Sequence, residues 1–94
     1  MNITVELTGA AHSLTGQKII PLQVEATATY QDIVRLLAQR YPVLIGVLID
    51  PAGETFLSSN MFIINGNMAT PAMLPLEHPH EGDHLILMSL ITGG

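Results

Sequence analysis

The 94-residue sequence contains no cysteine. That excludes a disulfide framework, a thiolate metal site and a cysteine nucleophile, so any sulfur chemistry must take its sulfur from another molecule. Cations are nearly as scarce: Lys18, Arg35 and Arg40 are the whole set, against eight acids, giving a formal net charge of −5. Phosphate neutralisation needs clustered cations, and these three cannot form a stripe, so nucleic acid is not expected as a partner and a basic protein surface fits better. Only 12% of residues are charged against 48% hydrophobic, where an ordinary soluble domain has about 25% charged residues. The surplus implies apolar surface that faces a partner. No apolar run approaches the ~18 residues needed to cross a bilayer, and Met1-Asn-Ile-Thr-Val5 lacks the basic start of a signal peptide. A cytoplasmic protein without a membrane partner is expected, and the length suits one domain over residues 1–94 with a modest core.

Along the chain, Ile3, Val5 and Leu7 alternate with Asn2, Thr4, Glu6 and Thr8, the period of a strand with one wet face. Gly9 to Gly16 reads as a long loop of turn formers, after which Ile20, Leu22 and Val24 resume the alternation and complete a hairpin. Pro21 cannot donate to a ladder, which assigns this second strand to a sheet edge. Thr29-Tyr-Gln-Asp32 has the form of a helix N-cap; Ile33, Leu36, Leu37 and Tyr41 then share one face, and Pro42 ends the helix. Val43 to Ile49 is apolar without a period and fits either a short strand or a turn of helix. Asp50-Pro-Ala-Gly53 is a turn, Met61 to Ile64 a short strand running into the tight turn Asn65-Gly66, and Met68 to Pro79 an irregular connection. Glu81-Gly-Asp83 turns the chain into a last strand from His84. The predicted order is β-β-α-β-β, with no internal repeat.

That last strand has two apolar faces, Leu85 and Leu87 with Ser89 on one side and Ile86, Met88 and Leu90 on the other, as in a central strand covered above and below. One helix covers one face only. The other is therefore expected to carry an exposed patch for a partner around Ile86, Met88 and Leu90. The strand leads through Ile91 and Thr92 into Gly93-Gly94. Without a Cβ, glycine lets another backbone or a nucleophile approach its carbonyl closely, so the tail suggests a carboxylate to be activated. A frayed terminus is the plain alternative from the tail alone. His78, His80 and His84 stand with Glu81 and Asp83 in a seven-residue stretch and are weak candidates for a zinc or nickel site, a solvated polar loop being the simpler reading. Ser13, Ser58, Ser59 and Ser89 lack a nucleophile-elbow context, and no His–Asp pairing is readable, so no catalytic residue is assigned.

Four pieces in this order, Thr29-Tyr-Gln-Asp-Ile-Val-Arg-Leu-Leu-Ala-Gln-Arg-Tyr-Pro42, Phe62-Ile-Ile-Asn-Gly66, Glu81-Gly-Asp83 and Gly93-Gly94, give a chain that resembles the ubiquitin-like β-grasp proteins of the MoaD/ThiS type. These include the small subunit of molybdopterin synthase and ubiquitin-like small modifiers. The resemblance implies an α+β β-grasp fold, a mixed four- to five-stranded sheet packed on one main helix, with a flexible tail at 92–94. It implies a carrier that is not an enzyme by itself and holds no permanent cofactor. An ATP-dependent adenylating enzyme would activate the Gly94 carboxylate, a sulfurtransferase would supply persulfide sulfur, and the thiocarboxylate would serve cofactor biosynthesis of the molybdopterin type, with the molybdopterin synthase large subunit as a further partner. In this frame Ile86 and Met88 match the apolar patch offered to activating enzymes, and Glu81 and Asp83 steer docking onto a basic rim. The same activation also serves a protein modifier joined through Gly94 to a target lysine. The chain departs from the pattern in Met88-Ser-Leu-Ile91, where prolines are usual, in its His-rich 77–80 segment, and in Ile91-Thr92 before the glycines.

Overall fold

The alternation at the N-terminus produces the strand it predicts. In the computed structural model, which describes residues 1–57 and 60–89, β1 spans Asn2–Leu7 and buries Ile3, Val5 and Leu7. β2, Ile19–Gln23, pairs antiparallel with it and buries Ile20 and Leu22. Pro21 stands opposite Thr4 on a strand that lies at the sheet edge, where a missing N–H breaks no ladder.

The connection between these strands is a helix and not the expected loop. Gly9–Thr15 forms α1, which buries Ala11. Two alanines favour the helix, the Thr15 hydroxyl donates to the Ala11 carbonyl at 2.7 Å, and Gly16 closes it in the left-handed conformation at φ 71°, a glycine C-cap.

The main helix, α2, spans Tyr30–Arg40. Its start is a capping box: the Thr29 hydroxyl accepts from the Asp32 N–H at 3.2 Å, and the Asp32 carboxylate accepts from the Thr29 N–H at 2.9 Å. The Thr29 N–H holds the Asp32 carboxyl below its ordinary value of 3.8, with further help from the Thr29 hydroxyl and Arg35. A lowered carboxyl pKa favours the folded state at neutral pH, and this contribution disappears as pH falls through the folded value. The next two donors are also satisfied, Tyr30 N–H by the Glu77 carbonyl and Gln31 N–H by that of Leu74. Pro42 stops the helix and opens a short 3₁₀ turn, Pro42–Leu44. The ambiguous apolar stretch then continues as isolated bridges, Ile45 to Ile49 and Ile49 to Phe56.

β3, Asn60–Ile64, turns at Asn65 and Gly66, with φ 51° and 83°, into β4, Asn67–Ala69. β4 corrects the expectation of an irregular segment from Met68: two successive positive φ values make the paired hairpin turn, and a turn of that twist brings the following residues back onto the strand. β5, His84–Ser89, runs parallel to β1 and antiparallel to β3. The sheet order is β2-β1-β5-β3-β4. One face packs on α2 through Ile33, Val34 and Leu37, and the segment after α2 adds Leu44, Leu48, Ile49 and Phe56 to the same core. Phe62 is fully buried at its centre, edge-on to Phe56 with ring centroids 4.9 Å apart and tilted to Tyr30 at 6.4 Å.

Removing the cap tests the account of α2. Thr29→Ala deletes the acceptor for the Asp32 N–H and is expected to lower unfolding free energy by about 1 kcal/mol, read as an earlier denaturant midpoint at unchanged slope. Thr29→Ser should recover most of that loss.

Candidate functional site

The alternation in β5 sends Leu85 and Leu87 into the core and leaves Ile86 and Met88 half-buried on the opposite face. The sheet register shows what surrounds them. Met68, Ile63, Ile86, Glu6 and Ile19 form one row across all five strands, and Met61 stands opposite Met88 in the next. Met68 is 55% exposed and Ile19 47%. The face therefore carries a broad shallow apolar surface, with Ile86 and Met88 at its centre rather than as a protruding knob. Sequence reasoning missed Ile19, Met61, Ile63 and Met68 as members because cross-strand neighbours depend on register, which the final strand alone does not specify. Glu6 is the one acid in the row, and its carboxylate lies 3.0 Å from His84 Nε2. Leu90, expected to extend the patch, lies outside the described residues, as do the lead-in Ile91 and Thr92 and the glycines Gly93 and Gly94.

The structure disperses the three histidines. His84 faces the apolar surface, while His78 Nδ1 lies 3.0 Å from the Ala28 carbonyl and 3.1 Å from that of Thr27. His80 is at the surface with Nδ1 3.8 Å from the Asp83 carboxylate. Among the described residues no three metal-ligating side chains converge. The two acids of the Glu81-Gly-Asp83 turn are engaged locally. Glu81 accepts from the Asn2 N–H at 2.9 Å, pinning the turn to β1. Asp83 accepts from the His80 N–H at 2.8 Å, with its side chain only 11% exposed.

Asp83 instead lies in a cleft of about 320 Å³ at the end of the sheet where β5 begins. It is lined by Tyr30 at the start of α2, by the apolar side chains of Ile64, Met68 and Met73, and by Glu77 and His80. Tyr30 is 5% exposed. Burial, then the Asp83 and Glu77 carboxylates, raise its pKa above 10.0, so the phenol keeps its proton at neutral pH. This cleft was not legible in the sequence, because its lining residues are far apart along the chain.

No sequence family matches the chain, and no curated protein does. Solved structures match it along nearly its whole length. SAMP1 from Haloferax volcanii is 22% identical, covering 100% of both chains, with a TM-score of 0.81. Urm1 from Trypanosoma brucei is 22% identical over 99% of this chain and 95% of that one, with a TM-score of 0.72. A Pyrococcus furiosus protein assigned as molybdopterin converting factor, subunit 1, is 14% identical over 96% of this chain and 98% of that one, with a TM-score of 0.71. The chain has the ubiquitin-like β-grasp fold.

Proposed function

We propose that the chain is a sulfur carrier whose Gly94 carboxylate is adenylated by an ATP-dependent enzyme and converted to a thiocarboxylate for cofactor biosynthesis of the molybdopterin type. The observation that carries this reading is the place of β5. It is the central strand of the sheet, bonded to β1 and β3, and the sequence passes from it within a few residues to Gly93-Gly94. The scaffold is thus followed within a few residues by two glycines, which have no side chains, and an enzyme that grips the scaffold holds the carbonyl near its nucleotide, which makes the reaction effectively intramolecular. A carboxylate is a poor electrophile until one oxygen belongs to an acyl-phosphate anhydride; ATP supplies that leaving group. With no cysteine in the chain, the sulfur nucleophile comes from a partner sulfurtransferase.

The neighbours' names favour a second reading, since small archaeal modifier proteins share the fold. In that reading the activated Gly94 is joined to a lysine of a target protein. Intact-mass analysis of the protein recovered from its native host separates the two. Exchange of one oxygen for sulfur marks the carrier, and covalent conjugates to other proteins mark the modifier. Unchanged mass with no conjugates, under conditions where the activating enzyme is present, overturns both.

The apolar sheet face is the surface offered to the activating enzyme in this reading. The double variant Ile86→Ala/Met88→Ala should raise KM for the carrier in ATP–pyrophosphate exchange by about tenfold or more. Its kcat should change little, because the removed contacts bind ground state and transition state alike. A KM unchanged by the substitution assigns docking elsewhere.

A further inference from the structure

We infer that docking of the open sheet face takes up one proton at His84, so that attachment to the partner tightens as pH falls. The inference rests on the reading of that face as the surface offered to the activating enzyme. Glu6 carries the argument. In its row across the sheet it stands between Ile86 of β5 and Ile19 of β2, and its side chain is 28% exposed. A carboxylate set among isoleucines loses its remaining water when the face is covered, and an uncompensated charge in a dry interface costs several kcal/mol. The chain offers one group that can answer it. His84 Nε2 lies 3.0 Å from Glu6 Oε1, and an imidazole changes charge between about pH 5 and 8.

No other cation of the chain reaches this face. Arg35 and Arg40 belong to α2, which covers the opposite side of the sheet, and Lys18 pairs with Leu7, one position out of phase with Ile19 and so on the other side. Besides Glu6, β1 contributes only Asn2 and Thr4 to the open face, and the residues of β2, β3 and β4 there are all uncharged. Two acids lie near His84 in sequence and both are engaged: Glu81 accepts from the Asn2 N–H, and Asp83 from the His80 N–H. Covering the face therefore leaves Glu6 and His84 facing each other, and the dry pair is stable only as carboxylate and imidazolium. Nε2 already serves the bond to Glu6, so the proton taken from solvent goes to Nδ1. A second copy of the chain is a poorer occupant than an enzyme. Five strands make a face roughly 19 by 18 Å in outline, well under the about 800 Å² per partner of a stable pair, and two copies of net charge −5 repel.

Calorimetric titration of the full chain into the activating enzyme of its native host, at pH 7.5 in phosphate and in Tris, tests this, because the two buffers differ in ionisation enthalpy and so report protons exchanged. The enzyme's own titrations are common to every variant and cancel in the differences. The unmodified chain should take up close to one proton more than Glu6→Gln, and its Kd should rise about tenfold more between pH 6.5 and 8.0. His84→Gln keeps an N–H for Glu6 but cannot become charged. It should show no such uptake and bind about tenfold more weakly at pH 6.5, and adding Glu6→Gln should restore most of that loss. Equal proton uptake by the unmodified chain and Glu6→Gln, or a His84→Gln defect that Glu6→Gln does not relieve, overturns the inference. If Ile86→Ala/Met88→Ala still weakens binding in that case, the docking face itself stands. Full binding by Ile86→Ala/Met88→Ala removes the docking face and the proton uptake together.

Discussion

A chain shortened by Gly94 alone is expected to fold as the full chain does and to lose ATP-dependent activation by at least about 100-fold. The described core ends at Leu87, so the deletion touches none of it. What changes is reach: one residue fewer withdraws the terminal carboxylate by up to about 3.5 Å. Misplacement of a reacting group by even ~1 Å can cost about 100-fold when catalysis rests on positioning. The measurement is pyrophosphate exchange with the activating enzyme, alongside a thermal melt. If the shortened chain is activated at the normal rate, the Gly94 carboxylate is not the reacting group, and the carrier and modifier readings fall together.

The largest effect on stability is expected from Phe62→Ala. Phe62 is fully buried where the sheet meets Phe56 and Tyr30. Its neighbours, held by the sheet and by α2, cannot close around the space left behind. Such a truncation costs about 3–5 kcal/mol, a large part of the about 5–15 kcal/mol that holds a domain folded. For a chain of this size Tm should fall by about 15 °C or more. Phe62→Leu, which fills more of the space, should lose less than half as much. A Phe62→Ala melt within a few degrees of the parent would show that the core is organised around other residues.

The parts of the fold that were legible in the sequence are those set by local chemistry. The alternation of β1, the Thr29/Asp32 cap, the stop at Pro42, the turn at Asn65-Gly66 and the edge placement of Pro21 each follow from a neighbour within a few positions. α1 was not legible because glycines at both ends of Gly9–Gly16 resemble loop punctuation, although Ala10-Ala11 and a glycine C-cap were available as signals. β4 was hidden by its three-residue length, too short to show a period. The placement of Ile86 and Met88 on the open face followed from alternation, while their neighbours there followed from register between distant strands and could not be read. The Tyr30–Asp83 cleft lies further still from sequence legibility. Tyr30 comes from the start of one helix and Asp83 from the turn before the last strand, and nothing local ties a phenol at one to a carboxylate at the other.

The sheet order has a consequence for biosynthesis. β5 sits between β1 and β3, so the two antiparallel pairs, β1 with β2 and β3 with β4, share no neighbour until residues 84–89 have left the ribosome. Until those residues are in place, either pair, if formed, has an open inner edge, and an open edge is a template for errant pairing with other chains. A fragment that stops before residue 84 therefore lacks the strand that joins the two halves of the sheet, whatever the quality of the halves themselves.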